Sequence, residues 1–314
     1  MFSLTYTGFA LALLAGMLLD LLLGEVRRWH PLVGFGWVAQ RIERYANHPE
    51  VSRFEGAMAW VLAVLPLVLF FAAILFFITR LHPWLGVAMH ALLLYFCLGL
   101  RSLRDHNLPI QQALENQDLP LARQLTSYIV SRDTADADAD YLAKASAESV
   151  LENGCDAVFG TLFWFAIGGG AGAVLYRLSN TLDAMWGYRT PRYLRFGCVA
   201  ARIDDVLNFV PARLTAITYA LLGKTRLALT CWRQQAPAWS SPNAGPVMAA
   251  GAGALGIALG GSARYDGIDE VRPVLGQGKI AVAADIGRAW QLVFRGSWLW
   301  AGALLTYSLL AGGI

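Results

Sequence analysis

The chain has 314 residues, with 25 Lys and Arg against 22 Asp and Glu, a formal net charge of +3. Hydrophobic residues make up 56% and charged residues 15%, where soluble globular domains have roughly 45–50% and 25%. This balance excludes a disordered chain, argues against a free cytosolic protein, and gives no ground for a nucleic-acid partner. The four cysteines (Cys97, Cys155, Cys198, Cys231) form no CxxC pair and the five histidines no HExxH pair. Neither a disulfide framework nor a zinc or iron centre is expected.

In chain order, residues 2–23 are apolar except for Asp20. No Lys or Arg precedes them and no small-residue cleavage site follows, unlike a signal peptide. They are the first expected membrane span. Between Glu55 and Arg80 lie 24 uncharged residues, enough for a helix to cross a bilayer core of roughly 20 residues. A span is expected over 57–79, with Pro66 tolerable in a membrane helix. His82-Pro83 reads as a turn, and 84–100 runs back as the second half of a hairpin. A fourth span is expected over 296–314, with Trp290, Trp298 and Trp300 near an interface. Two further stretches, 157–176 with its Gly168-Gly169-Gly170 centre and the Gly/Ala-rich 246–263, read as spanning or re-entrant segments. Arg27, Arg28, Arg41, Arg44 and Arg53 lie between the first two spans, and Arg101 and Arg104 follow the third. Arg80 alone marks the opposite loop. Positive charge then places 24–55 and the region after 101 in the cytoplasm. The fold expected is all-α: a polytopic helical membrane protein, one membrane-embedded domain over 1–314, with cytoplasmic helices over 101–156.

In that polar middle, helices are expected over Pro109–Glu115, Pro120–Val130 and Ala139–Asn153, the last stopped by Gly154. Lys144, Glu148 and Glu152 fall at i, i+4 and i+8 on one face. Residues 101–156 hold 10 acids and five bases, and 177–233 hold nine bases and three acids. These are either two solvated faces or two walls of a site for a metal-chelated anion. Arg202 and Asp205 (i, i+3), with Asp204 and Asn208 (i, i+4), stand out in an apolar neighbourhood, where ionisable groups are costly.

Several motifs carry ordinary readings beside functional ones. Gly223-Lys224-Thr225 lacks the earlier glycine of a P-loop, since position 218 is Thr. Gly251–Gly256 matches GxGxxG, but no strand precedes it, so close helix packing is expected. Asp133 or Thr134 reads equally as a helix cap. Ser241-Pro242-Asn243-Ala244-Gly245 reads as a turn, and Gly260-Gly261-Ser262 as a loop or a phosphate cradle.

Taken in order, VSRDT (130–134), ESVLEN (148–153), LFWF (162–165), NTLDAMWGYR (180–189), ARIDDVLNFVPARLTA (201–216), SPNAG (241–245), GALGIALGG (253–261) and RPVLGQG (272–278) form a specific set. With LLDLLLGEVRRWHPLVGFG (18–36) and GLRSLRDH (99–106), the set resembles the adenosylcobinamide-phosphate synthase family of cobalamin biosynthesis, often called CobD or CbiB. The sequence departs from that pattern after SPNAG, where many members have Trp-Pro-Glu and this chain has Pro246-Val247-Met248. It departs again at Thr161, where many have Pro.

The resemblance implies a multi-pass enzyme of the bacterial inner membrane with its active site facing the cytoplasm. It implies amide ligation of (R)-1-amino-2-propanol phosphate, or free aminopropanol, to a propionate of adenosylcobyric acid, with ATP and Mg²⁺. Other corrinoid-assembly enzymes and a second copy of the chain are conceivable partners. Asp133, Glu148, Glu152 and Asp183 are then candidates for holding Mg²⁺ or deprotonating the amine. Arg132, Arg189 and Arg202 are candidates for phosphate. Asn153, Asn180, Asn208, Ser241 and Asn243 are candidates for hydrogen bonds to corrin amides or phosphate. Asp204 and Asp205 either join the metal site or neutralise Arg202 and Arg213. The rival readings are a non-catalytic membrane sensor of the β-lactamase-induction type, which is expected to lack these polar motifs, and a transporter.

Overall fold

A computed structural model describes residues 4–26, 28, 30–265 and 267–312. The chain is predominantly helical. Among the described residues, four helical stretches are long and apolar enough to cross a membrane: Tyr6–Leu23, Arg53–Leu81, Pro83–Glu115 and Ala139–Trp186, the last through its uncharged part, 157–176. The chain divides into two compact units, Met1–Gly99 with Gly160–Asn208 and Trp300–Ile314, and Leu100–Phe159 with Phe209–Leu299.

Unit 1 contains α1 (Tyr6–Leu23), α2 (Pro31–Ala46), α3 (Arg53–Leu81), α4 (Pro83–Cys97) and α8 (Gly160–Trp186). Helix α3 starts at a capping box in which Ser52 and Glu55 satisfy each other's backbone N–H groups. His82 ends α3 and precedes α4, as the turn signal predicted. Helix α1 packs on α4, and α4 and α3 both pack on α8. The first expected span matches α1, residues 2 and 3 lying outside the described residues.

The stretch 157–176 is not one straight span. Gly169 takes φ 58° and ψ −147° inside α8, a conformation essentially reserved for glycine. A Cβ at Gly172 would lie 2.2 Å from the Trp164 carbonyl oxygen, and one at Gly160 2.2 Å from the Tyr176 ring. In a straight helix those pairs would be about 12 and 24 Å apart. The chain therefore reverses at Gly169 into a helical hairpin. His90 holds the vertex, its Nδ1 accepting from the Gly170 N–H at 2.9 Å.

Unit 2 contains α5 (Leu100–Glu115), α6 (Leu119–Ser127), α7 (Ala139–Asn153), a π-helical turn (Gly154–Phe159), α10 (Thr225–Gln235) and α11 (Ala244–Leu255). Helix α9 (Cys198–Leu222) and helix α12 (Ala283–Gly312) each contribute residues to both units. The expected span 296–314 falls on the end of α12, with 313–314 outside the described residues. Helix α5 starts earlier than expected and runs through Pro109. Helix α7 has the expected bounds, but Gly154 does not stop the helical path: its backbone is right-handed helical and continues into the π turn. A Cβ there would meet the Tyr219 hydroxyl at 2.6 Å, so this glycine serves close packing.

The all-α expectation fails at residues 257–280. Strands β1 (Ile257–Tyr265), β2 (Ile268–Gly276) and β3 (Lys279–Ile280) form a sheet of order β2-β1-β3, with β1 antiparallel to β2 and parallel to β3. The stretch 246–263 is thus divided between α11, which is wholly buried, and β1. At 12 residues, α11 is too short to cross a bilayer. Two of the GxGxxG glycines have evident roles: a Cβ at Gly253 would lie 2.8 Å from the Ala228 Cα, and Gly256 caps α11 in the left-handed region at φ 68°.

Candidate active site

The sequence-predicted residues fall into two sets, one in each unit. In unit 2, Glu148 on α7 is 1% exposed and accepts from both Arg132 and Arg272, the latter at 3.1 Å. Its other oxygen accepts from the Gly260 N–H at 2.7 Å. That N–H is available because β1 bulges between Gly260 and Gly261. Both glycines have positive φ, 74° and 72°, and a Cβ at Gly260 would strike the Pro273 carbonyl at 2.1 Å. The Arg272 Nε donates to the Gly261 carbonyl at 3.2 Å, and its guanidinium lies 5.3 Å over the Trp239 ring. The Gly-Gly pair thus builds a carboxylate–guanidinium cluster.

This cluster is not closed. Arg132 Nη1 and Arg272 Nη2 are buried without a hydrogen-bond partner among the described residues, and buried orphan donors are rare and costly. Glu152, one turn beyond Glu148, has no hydrogen bond to its carboxylate among the described residues. Burial would raise the Glu148 carboxyl, but Arg132, Arg272 and the Gly260 N–H hold it below the ordinary carboxylate range. Glu152 responds the other way. Burial raises it, the Glu148 charge raises it further, and the two arginines do not cancel the effect. Burial also lowers the Lys144 ammonium, which Glu148 partly offsets. Arg132 lines a cavity of about 620 Å³ together with Asp133, Thr134, Tyr141 and Arg264.

The other candidates of unit 2 have local work. Asp133 accepts from the Gly267 N–H at 2.7 Å, and its own N–H donates to the Arg264 carbonyl. It therefore ties its loop to the β1–β2 turn. Asn153 donates to Ser149 at 3.0 Å. Ser241 accepts from the Ala244 N–H at the start of α11, and Asn243 accepts from Arg213 at 2.6 Å. The SPNAG turn thus holds an arginine stacked 3.7 Å over Phe209.

In unit 1, Asp204 is buried and accepts from Asn180 at 3.3 Å and Asn208 at 3.1 Å. Asn208 in turn accepts from the Tyr176 hydroxyl at 2.7 Å. Burial pushes Asp204 up to about 6, against the pull of the two amides and with the neighbouring Asp205 adding to it. Arg189, Arg202 and Asp205 line a pocket of about 450 Å³. The carbonyl of Asp183 accepts from the Gly187 N–H at 2.7 Å. Among the described residues no group of three or more His, Cys, Asp or Glu could hold a metal ion.

Arg272 and Trp239 are the site residues that sequence reasoning passed over, while Gly260, read there as part of a loop or a phosphate cradle, lies in β1 and donates to Glu148. Arg272 opens the RPVLGQG motif, but nothing local marked it as facing Glu148, 124 positions away.

The class these features define is a helical protein with stretches long and apolar enough to cross a membrane and a buried carboxylate–arginine site built on a small sheet. The family model "CobD/Cbib protein" matches residues 13–293, and the chain belongs to that family. It is similar to a cobalamin biosynthesis protein CobD of Stutzerimonas stutzeri, 56% identical over 94% of this chain and 96% of that one. A protein of the same name from Chromobacterium violaceum is 53% identical over 97% and 98%, and one from Mycobacterium tuberculosis 40% identical over 92% of each. No solved structure matches.

Proposed function

We propose that this chain is an adenosylcobinamide-phosphate synthase of cobalamin biosynthesis. It joins (R)-1-amino-2-propanol phosphate, or free aminopropanol, to a propionate carboxylate of adenosylcobyric acid as an amide. Family membership and the relatives' names support the pathway. The observation that carries the chemistry is the open cluster of unit 2: two buried guanidiniums with unused donors beside a carboxylate of raised proton affinity.

Arg132 Nη1 and Arg272 Nη2 fit phosphate oxygens, which guanidinium binds bidentately. Glu148 holds both arginines in place and stays ionised. Glu152 takes a proton from the substrate ammonium, freeing the nitrogen lone pair to attack the propionate carbonyl carbon. The C–N bond forms as the bond to the activated oxygen breaks.

A free carboxylate is a poor electrophile, so ATP is the proposed activator, supplying a phosphoryl group to the propionate. Of the carboxylates named as candidates for Mg²⁺, two already have partners. Glu148 is committed to arginines and Asp133 to a backbone N–H. Mg²⁺ held by waters and nucleotide phosphates suits them better, leaving the role of base to Glu152. We also read the α8 hairpin as re-entrant. Its first leg, 160–168, extends about 13 Å against a hydrocarbon core of roughly 30 Å.

The test is direct. The purified chain in detergent is incubated with adenosylcobyric acid, aminopropanol phosphate and Mg-ATP. A product heavier by the aminoalcohol phosphate less one water is expected by mass spectrometry. Its absence, with ADP not formed either, overturns the reading.

A further inference from the structure

The pocket of unit 1 has a lining that amide ligation does not call for. Four arginines, Arg53, Arg189, Arg195 and Arg202, surround it with Asp205 as the acid in its wall. Asp205 feels the charge of Arg189, and against that one carboxylate the four arginines leave the lining with an excess of positive charge. A concave site of about 450 Å³ with that charge is built for a phosphate-bearing anion.

Its place in the fold says which kind. Arg53 is the first residue of α3, and 24 uncharged residues begin three positions later. The pocket mouth therefore lies where a membrane helix leaves the hydrocarbon, the depth of lipid phosphates. The pocket-bearing segment is pinned at that level. A Cβ at Gly56 would meet the Phe196 carbonyl at 2.2 Å, so the segment rests on the first turn of α3. Arg192 pairs with Glu43 of α2 at 2.7 Å, and Asn47 donates to the Arg192 carbonyl at 3.2 Å. Around the mouth the surface is apolar. Phe54 is 72% exposed, Tyr188 53% and Leu194 59%, and α2 beside them exposes Trp37 and Tyr45. Aromatic and aliphatic side chains ringing a basic pocket suit the membrane interface.

We propose that the Arg53–Arg189–Arg195–Arg202 pocket binds the headgroup phosphate of an acidic phospholipid. The proposal stands apart from the synthase reading and assigns Arg189 and Arg202 to lipid instead of to a substrate phosphate.

The test uses the full chain in nanodiscs of phosphatidylcholine with increasing phosphatidylglycerol. Retained lipid is counted by native mass spectrometry and thermal unfolding is followed in parallel. Phosphatidylglycerol should be retained about tenfold over phosphatidylcholine, and R53Q/R195Q should erase that preference, since each basic residue at an anionic surface contributes substantially. The charge-matched R41Q/R44Q on α2, outside the pocket, should keep it. R195Q alone, expected to weaken the preference severalfold, serves if the double variant does not fold. Three outcomes overturn the proposal: no preference in the wild type; equal loss in R41Q/R44Q, which means surface charge only; or lipid-free stabilisation by inorganic phosphate or ADP that R53Q/R195Q removes, with no gain from phosphatidylglycerol.

Discussion

Glu148 and Glu152 lie one turn apart on α7, yet their surroundings separate their proton affinities. Such separation divides acid–base roles between carboxylates. Glu152→Gln should lower amide formation about 100-fold or more while the protein still inserts and folds; undiminished activity removes Glu152 from the mechanism. In the wild type the acidic limb of the rate profile should fall above 4.5, the ordinary Glu value, because the base exists only above its raised pKa. Glu148→Gln is a different lesion. It leaves two buried arginines uncompensated and should cost about 3–5 kcal/mol, read as a lowered melting temperature in detergent. Asp204 gives a third test. Its folded pKa of about 6 lies above the ordinary 3.8, so its contribution to stability is complete below pH 3.8 and is lost as pH rises through about 6. Asp204→Asn should flatten the melting-temperature profile between pH 4 and 6; an unchanged slope means another group titrates there.

At the scale of elements, the α8 hairpin depends on one backbone geometry. A Cβ at Gly169 would meet His90 at 2.5 Å, and φ is 58°. Gly169→Ala therefore combines backbone strain with a clash and should destabilise by about 1–3 kcal/mol, seen as lost melting temperature and faster proteolysis. Gly168→Ala, with no atom within 4 Å of an added Cβ, is the control. If both variants behave alike, the hairpin vertex is not where the geometry puts it. The bulge at Gly260 and Gly261 plays a similar part in unit 2, since a regular ladder would use the N–H that Glu148 needs.

Across the whole molecule, the chain changes unit after Gly99, Phe159, Asn208 and Leu299, so neither unit is a contiguous segment. The orientation proposed from the arginines is tested on the intact chain. In a background without native cysteines, H82C should react with an impermeant thiol reagent in whole cells, and S52C only after permeabilisation. The reverse pattern inverts the topology and turns the proposed site away from the cytoplasm.

The sequence alone determined what local chemistry can determine. Long apolar runs mark α1, α3 and α4, because roughly 20 apolar residues suffice to define a span. The His82-Pro83 turn and the full extent of α7 were legible for the same reason. The ordered polar motifs were enough to mark the family. Tertiary structure decided the rest, because it depends on partners far apart in sequence. Glu148 becomes a guanidinium clamp only when Arg272 is brought back from 124 residues away. Three glycines that could have broken a span instead turn a hairpin, because His90 caps the second leg. The small sheet escaped notice because its strands follow a buried Gly/Ala helix whose composition resembles a membrane segment. Burial against neighbouring elements, which no local window records, separates the two.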